Sequence, residues 1–144
     1  MEREDIKILV NEGIFTKANN MSFVSYEDEV LTLKMLPDER HISELNILHG
    51  GIIYTFADTV TGILCMTLGK VYVTIDATMN YISNTPKGVE IFGRAQFVHK
   101  GNTICVVDVE VYTKEKLLTK GTFTYHSYLK KDNNYTAYLE KNKI

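Results

Sequence analysis

The chain has 144 residues, the size of one ordinary domain, and 44% of them are hydrophobic, which is enough for a substantial core. Its 16 basic and 18 acidic residues leave a net charge of −2, too weak a field to favour binding to nucleic acid or an anionic membrane. The N-terminus is acidic where a signal peptide would be basic, and the two cysteines, Cys65 and Cys105, fit no metal-ligand spacing. We therefore expect a cytoplasmic protein of one domain with buried free thiols, no cofactor and no metal.

The first part of the chain predicts one helix and two strands. Residues 3–13 carry apolar side chains at helical spacing among charges, which predicts a short amphipathic helix. Met21–Tyr26 and Val30–Met35 have β character, and the acidic residues 27–29 between them predict a turn. Residues 37–47 are polar and lack a period, so we expect a loop that leads into the next element.

A long apolar helix is expected from Gly50 to Leu68, ended by Gly69. Because this helix must be largely buried, its one acid, Asp58, is costly unless it is paired, hydrogen-bonded or used. Asp58 follows Gly51 by seven residues, so two helical turns place both on one stripe. Two consecutive glycines leave bare backbone N–H groups at the helix start. A backbone donor and an acid on one stripe indicate attack on a carbonyl.

The rest of the chain predicts a sheet. Apolar and polar residues alternate along its segments, which is typical of an antiparallel sheet with one wet face and one covered face. The expected strands are Val71–Tyr81, Val89–His99, Ile104–Thr113 and Leu117–Tyr128. Only the 50–68 helix is apolar enough to cover the sheet. We therefore predict an α+β fold in which one long helix lies against an antiparallel sheet of five or six strands, followed by a C-terminal tail from about residue 130.

Several short motifs together resemble one known family. The matching segments are Leu48-His49-Gly50-Gly51, Phe56-Ala57-Asp58-Thr59, Val73-Thr74-Ile75-Asp76, Tyr81 with Pro86 and Gly88, and His99-Lys100-Gly101-Asn102. The HGG that opens the helix, with an acid nine residues after the histidine, resembles the hotdog fold. More closely, the chain resembles PaaI-type (phenylacetyl-CoA thioesterase-like) acyl-CoA thioesterases over roughly residues 20–128.

The resemblance implies acyl-CoA as substrate and a role for each matching residue. Asp58 would be the general base that activates water, or else the nucleophile. The Gly50 N–H would polarise the thioester carbonyl, His49 would help to shape the carbonyl site, and Thr74 would hold the water or the acid. Asp76 is expected on the same face as Thr74, as a structural hydrogen-bond acceptor. The family builds its site between two protomers, which implies a homodimer or a dimer of dimers.

The family's N-x-x-G-x-x-H pattern is altered here, because Ser43 replaces its first residue and Asn46 its glycine. Either the loop differs, or Asn46 takes over the polar contact that orients water. We expect Gly51, Asn46 and Ser43 to contact substrate. Lys100 and Asn102, in a turn, are candidates for contacts to the phosphates of coenzyme A.

Other interpretations stay open. Asp58 can be a structural acid bonded to Thr55 or a backbone amide, His49 can be a helix cap, and the glycines can serve a tight helix entry. A hotdog enoyl-CoA hydratase would pair a histidine with an acid, as His49 and Asp58 could. A non-catalytic acyl-CoA sensor usually carries a DNA-binding segment, for which the 20 or so residues before the first strand leave no room. Release of free thiol from acyl-CoA separates the hydrolase from both.

Overall fold

Alternating apolar and polar residues build a six-stranded sheet, as described by a computed structural model of residues 1–128. The strands are β1 Met21–Glu27, β2 Val30–Met35, β3 Tyr72–Tyr81, β4 Ile91–Lys100, β5 Ile104–Tyr112 and β6 Leu117–Ser127. They lie in the order β1-β2-β4-β5-β6-β3, and every neighbouring pair is antiparallel. The α+β prediction is confirmed. The predicted C-terminal tail lies outside the described residues.

The helices differ in detail from those expected. They are α1 Arg3–Glu12, α2 Ile14–Ala18, a 3-10 helix Glu39–His41 and α3 Gly50–Met66. Helix α1 ends one residue early because Gly13 is extended, and the short α2 after it was not predicted. The segment taken as a loop contains the 3-10 helix, and α3 ends two residues before Leu68.

Strand bounds move by one or two residues. Strand β1 includes Glu27, so the turn before β2 is only Asp28 and Glu29, with φ of 51° and 59°. These positive values are those of a two-residue hairpin turn, whose twist matches that of the strands. Strand β4 begins at Ile91 instead of Val89 and continues to Lys100.

Helix α3 covers one face of the sheet and forms the core with it. From the helix, Phe56 and Val60 are fully buried, as are Val107 and Phe123 from the sheet. Gly93 on β4 lies directly under the helix, where an added Cβ would stand 2.8 Å from Val60 Cγ2 and 3.0 Å from Phe56 Cε1. The bare backbone at this position therefore sets how closely helix and sheet approach.

The structure also bears on the expectations about the cysteines, the sheet edge and membrane-spanning helices. Cys65 and Cys105 are buried free thiols, as predicted. Strand β3 is at the edge of the sheet, and its Val73 and Ile75 side chains are 44% and 55% exposed. None of the helices within residues 1–128 is long and apolar enough to cross a membrane. The cytoplasmic location stays a prediction.

Gly93→Ala should destabilise the fold. Its new methyl group would overlap Val60 and Phe56, and overpacking of this kind costs about 1–3 kcal/mol in free energy of unfolding. Urea denaturation measures the loss, with Arg94→Ala as the control, because Arg94 is exposed on the opposite face of the same strand. An unchanged midpoint for Gly93→Ala would contradict the close approach of helix and sheet.

Candidate active site

The segment before helix α3 is held in place by backbone hydrogen bonds on both sides. His49 N–H donates to the carbonyl of His41 at 2.9 Å, and Leu48 N–H donates to the carbonyl of Thr85 at 3.0 Å. The Asn84 side-chain amide donates to the Leu48 carbonyl at 3.1 Å. The start of the helix is thus fixed from two separate loops, the first of which also carries the predicted site residues Ser43 and Asn46.

His41 anchors one of these loops and was not singled out from the sequence. Its side chain is only 2% exposed. Its Nδ1 accepts from the Asp38 backbone N–H at 3.0 Å, and its Nε2 lies 3.2 Å from Asn19 Oδ1. Burial lowers the pKa of the imidazole, which favours the neutral ring that this pair of hydrogen bonds requires. A lone histidine in a polar segment carries no signal that distinguishes this role.

His49 is the N-cap of α3, which matches the capping interpretation. Its Nδ1 accepts from the Gly51 N–H at 2.9 Å, and its carbonyl accepts from the N–H groups of Ile52 and Ile53. The Gly51 N–H is therefore occupied by its hydrogen bond to the cap. Within residues 1–128, the N–H of Gly50 has no hydrogen-bond acceptor. The free donor at the positive end of the helix dipole is thus on Gly50.

Tyr81, at the end of β3, fixes the peptide that follows this donor. Its hydroxyl donates to the carbonyl of Gly50 at 2.8 Å. A Cβ at position 50 would stand 3.4 Å from the Tyr81 ring, an ordinary van der Waals contact. The helix start and the edge strand are therefore joined at the position predicted to polarise a carbonyl.

Asp58 is partly buried, and its carboxylate is held from strand β3 by a predicted partner. Thr74 Oγ1 donates to Asp58 Oδ1 at 2.7 Å. The structure thus brings together the acid and the threonine that the family resemblance placed in one site. The alternative partner Thr55 instead donates to the carbonyl of Gly51 at 2.8 Å.

A β-bulge in β3 separates Thr74, whose side chain faces α3, from Asp76. Thr74 pairs with Tyr125 of β6, but Asp76 pairs with Thr124, so Ile75 is an extra residue in β3. Directly paired residues share a face, and Tyr125 faces α3. Thr74 therefore faces the helix, whereas Asp76 lies on the outer face. The expectation that both share one face is wrong, because it assumed uninterrupted alternation.

Tyr125 is a second hydroxyl on the same carboxylate, and sequence reasoning missed it. Its hydroxyl donates to Asp58 Oδ1 at 2.8 Å, and its side chain is 2% exposed. Burial, and after it the nearby Asp58 charge, raises the pKa of this phenol well above its ordinary value. The phenol therefore stays protonated and remains a donor at any physiological pH.

Ser43 and Asn46 form a tight turn ahead of the helix. Ser43 N–H donates to the Ile47 carbonyl at 2.8 Å, and Asn46 N–H donates to the Ser43 carbonyl at 3.0 Å. Asn46 has φ of 58°, in the left-handed region that glycine and asparagine tolerate best. This conformation explains why asparagine can stand where the family pattern has glycine. Contact of either side chain with substrate stays a prediction.

Lys100 and Asn102 lie at the β4–β5 turn and contact residues other than those of α3. Lys100 Nζ is 2.8 Å and 2.7 Å from the two carboxylate oxygens of Glu29. Asn102 accepts from Lys70 Nζ through its carbonyl and its side-chain oxygen, at 2.7 Å and 2.6 Å. Exposed pairs of this kind are weak, so a phosphate group could compete for Lys100. Their role in binding coenzyme A stays a prediction.

Comparisons with known proteins identify the family of the chain. Residues 45–120, just over half of the chain, match the thioesterase superfamily. The chain is 29% identical to the mouse protein named acyl-coenzyme A thioesterase 13 over 129 residues, which cover 86% of this chain and 92% of that protein.

Two solved structures share the fold. A Streptococcus mutans protein bound to acetyl-CoA is 28% identical with a TM-score of 0.73, covering 77% of this chain and 90% of that one. The E. coli PaaI protein is 18% identical with a TM-score of 0.78, covering 89% and 97%. The second likeness confirms the predicted hotdog fold. The chain therefore belongs to the thioesterase superfamily and is a thioester-hydrolysing enzyme with the hotdog fold.

Proposed function

We propose that this enzyme hydrolyses acyl-CoA to the free acid and coenzyme A, with Asp58 as the base and the Gly50 N–H as the oxyanion donor. One observation carries the proposal: a partly exposed carboxylate, oriented by two hydroxyls, lies on the helix whose N-terminus presents an unused N–H. The relatives named acyl-coenzyme A thioesterase and the similar structure with bound acetyl-CoA support coenzyme A as the thiol.

The reaction follows from these two groups. Asp58 accepts a proton from water as the water oxygen bonds to the thioester carbon, and the carbonyl electrons move to the oxygen held by the Gly50 N–H. When the carbonyl re-forms, the C–S bond breaks, and the leaving thiolate takes the proton from Asp58. Cys65 is unsuited as a nucleophile, because burial removes it from solvent and raises the pKa of its thiol.

Asp58 could instead attack the carbonyl directly. This route forms an acyl–aspartyl anhydride and releases the thiol before water enters. A single turnover in heavy-oxygen water tests for this route, because attack of water on the aspartyl carbonyl of the anhydride leaves labelled oxygen in Asp58, whereas general-base hydrolysis puts the label in the free acid alone.

The two groups have to come from different protomers. Gly50 and Asp58 are eight residues apart on α3, or about 12 Å of helical rise, whereas reacting atoms approach to about 3–3.5 Å. The exposed Val73 and Ile75 side chains on the edge strand β3 offer an apolar surface for a second copy. We therefore infer a homodimer with two composite sites, itself able to pair into a dimer of dimers.

Asp58→Asn should lower kcat for acyl-CoA hydrolysis by about 10²–10⁴-fold, the usual contribution of a positioned acid–base group. The amide oxygen can still accept from Thr74, so the fold should persist. Thiol release and thermal unfolding measure the two effects. Asp76→Asn is the matched control, because Asp76 lies on the outer face of the sheet. Wild-type turnover in Asp58→Asn would mean that Asp58 is a structural acid.

Gly50→Pro should lower kcat by about 10²–10³-fold, the typical loss of one oxyanion donor. Proline lacks the N–H but suits the first position of a helix, and His49 before it already has the extended backbone that proline requires (φ −64°, ψ 130°). Gly50→Ala is the control, because it keeps the N–H and its methyl only touches Tyr81. Equal activity of the two variants would exclude the Gly50 N–H as the donor.

Mixing the two inactive variants tests the composite site. A dimer of one Asp58→Asn chain and one Gly50→Pro chain contains one site with both native groups if each site spans two protomers. Random pairing should then restore roughly a quarter of wild-type activity after co-expression. No recovery in co-purified mixed dimers would place both groups of each site in a single chain.

A further inference from the structure

The contacts around Tyr125 go beyond what is needed to pack an aromatic ring. Its hydroxyl oxygen lies 2.8 Å from Asp58 Oδ1, 2.8 Å from the Asp58 carbonyl and 2.7 Å from Thr61 Oγ1. Thr61 is fully buried and has the carbonyl of Ala57 within 2.9 Å to accept its own proton. The phenol proton is then free for the strongest acceptor nearby, the Asp58 carboxylate.

Both hydroxyls on Asp58 use the same oxygen. Thr74 and Tyr125 each donate to Oδ1, and no residue in the described part of the chain donates to Oδ2. Two donors on one oxygen prevent rotation of the carboxylate and draw electron density towards Oδ1. Oδ2 is left as the oxygen free to take a proton.

The helix leaves room for this phenol. Gly62 lies in the middle of α3, where glycine costs up to about 1 kcal/mol relative to alanine. A Cβ at position 62 would stand 3.4 Å from the Tyr125 hydroxyl oxygen and 3.6 Å from its ring, so the phenol lies directly against the helix at Gly62. Phe123, two residues earlier on the same face, fills the core without a hydroxyl.

We propose that Tyr125 is a positioning residue, which fixes Asp58 through Oδ1 so that Oδ2 faces the attacking water; this inference rests on the proposed hydrolysis of acyl-CoA. Thr61 holds the phenol, the phenol and Thr74 hold the carboxylate, and the carboxylate acts on water. Tyr125 itself does not touch the substrate.

Tyr125→Phe removes only the hydroxyl. Without the phenol, Thr74 is the one donor to Oδ1 among the described residues, so the carboxylate is held less firmly towards the attacking water. We expect kcat at neutral pH to fall about 10-fold and KM to stay within about 2-fold, because substrate contacts remain. Tyr72→Phe is the matched control: Tyr72 is also a buried tyrosine facing the core, but its hydroxyl lies beside Cys105.

A double-mutant cycle separates positioning from packing. If Tyr125 acts through Asp58, Tyr125→Phe should cause no further loss of kcat in the Asp58→Asn background. An equal loss in both backgrounds would overturn the proposal. Fluorotyrosine in place of Tyr125 gives a variant of almost unchanged size and a stronger donor, which should change kcat when Asp58 is present and leave it unchanged in the Asp58→Asn background. This measurement remains decisive if Tyr125→Phe does not fold.

The outcomes distinguish this inference from the function on which it rests. If the wild-type enzyme releases no thiol from acyl-CoA, the proposed function fails and the inference fails with it. If the wild type is active but Tyr125→Phe or fluorotyrosine leaves kcat unchanged, only the role of Tyr125 is overturned.

Discussion

The acid of helix α3 is the constraint on which the site depends. This helix must bury its apolar stripe against the sheet, yet Asp58 lies on it, and a carboxylate near a core needs hydrogen bonds. Two neighbouring strands supply them through Thr74 and Tyr125, at 2.7 Å and 2.8 Å. The contacts that make the charge tolerable also orient it. The same two hydrogen bonds therefore stabilise the helix–sheet interface and orient the carboxylate.

The start of helix α3, at Gly50, is held rigidly for a different reason. His41, Thr85 and Tyr81 bond the backbone on either side of Gly50, from three parts of the chain. A backbone donor stabilises a developing charge only when it does not have to reorganise, so its neighbours must be fixed in advance. The glycine keeps the donor accessible, and the surrounding hydrogen bonds keep it in place.

The features predictable from the sequence are those with a local period or a local motif. Alternation along residues 104–112 and the apolar run of α3 indicated which faces are buried, and the spacing of Gly51 and Asp58 pointed to the candidate site. Tyr125 could not be found this way, because its contact with Asp58 spans 67 positions and depends on strand register. The bulge at Ile75 could not be predicted for the same reason, because it is visible only in the strand register. One extra residue moves every later side chain of the strand to the opposite face of the sheet.

The proposed division of the site between protomers follows from the dimensions of the fold. A helix that covers a six-stranded sheet must be long, and the 17 residues of α3 span roughly 25 Å. Within residues 1–128 its free N–H lies at the first residue, whereas Asp58 lies at the ninth, where β3 and β6 both reach it with a hydroxyl. Moving the acid towards the helix start would remove it from both donors. In the proposed mechanism, a single chain can orient the acid or place it beside the oxyanion donor, and the second copy that we propose would allow both.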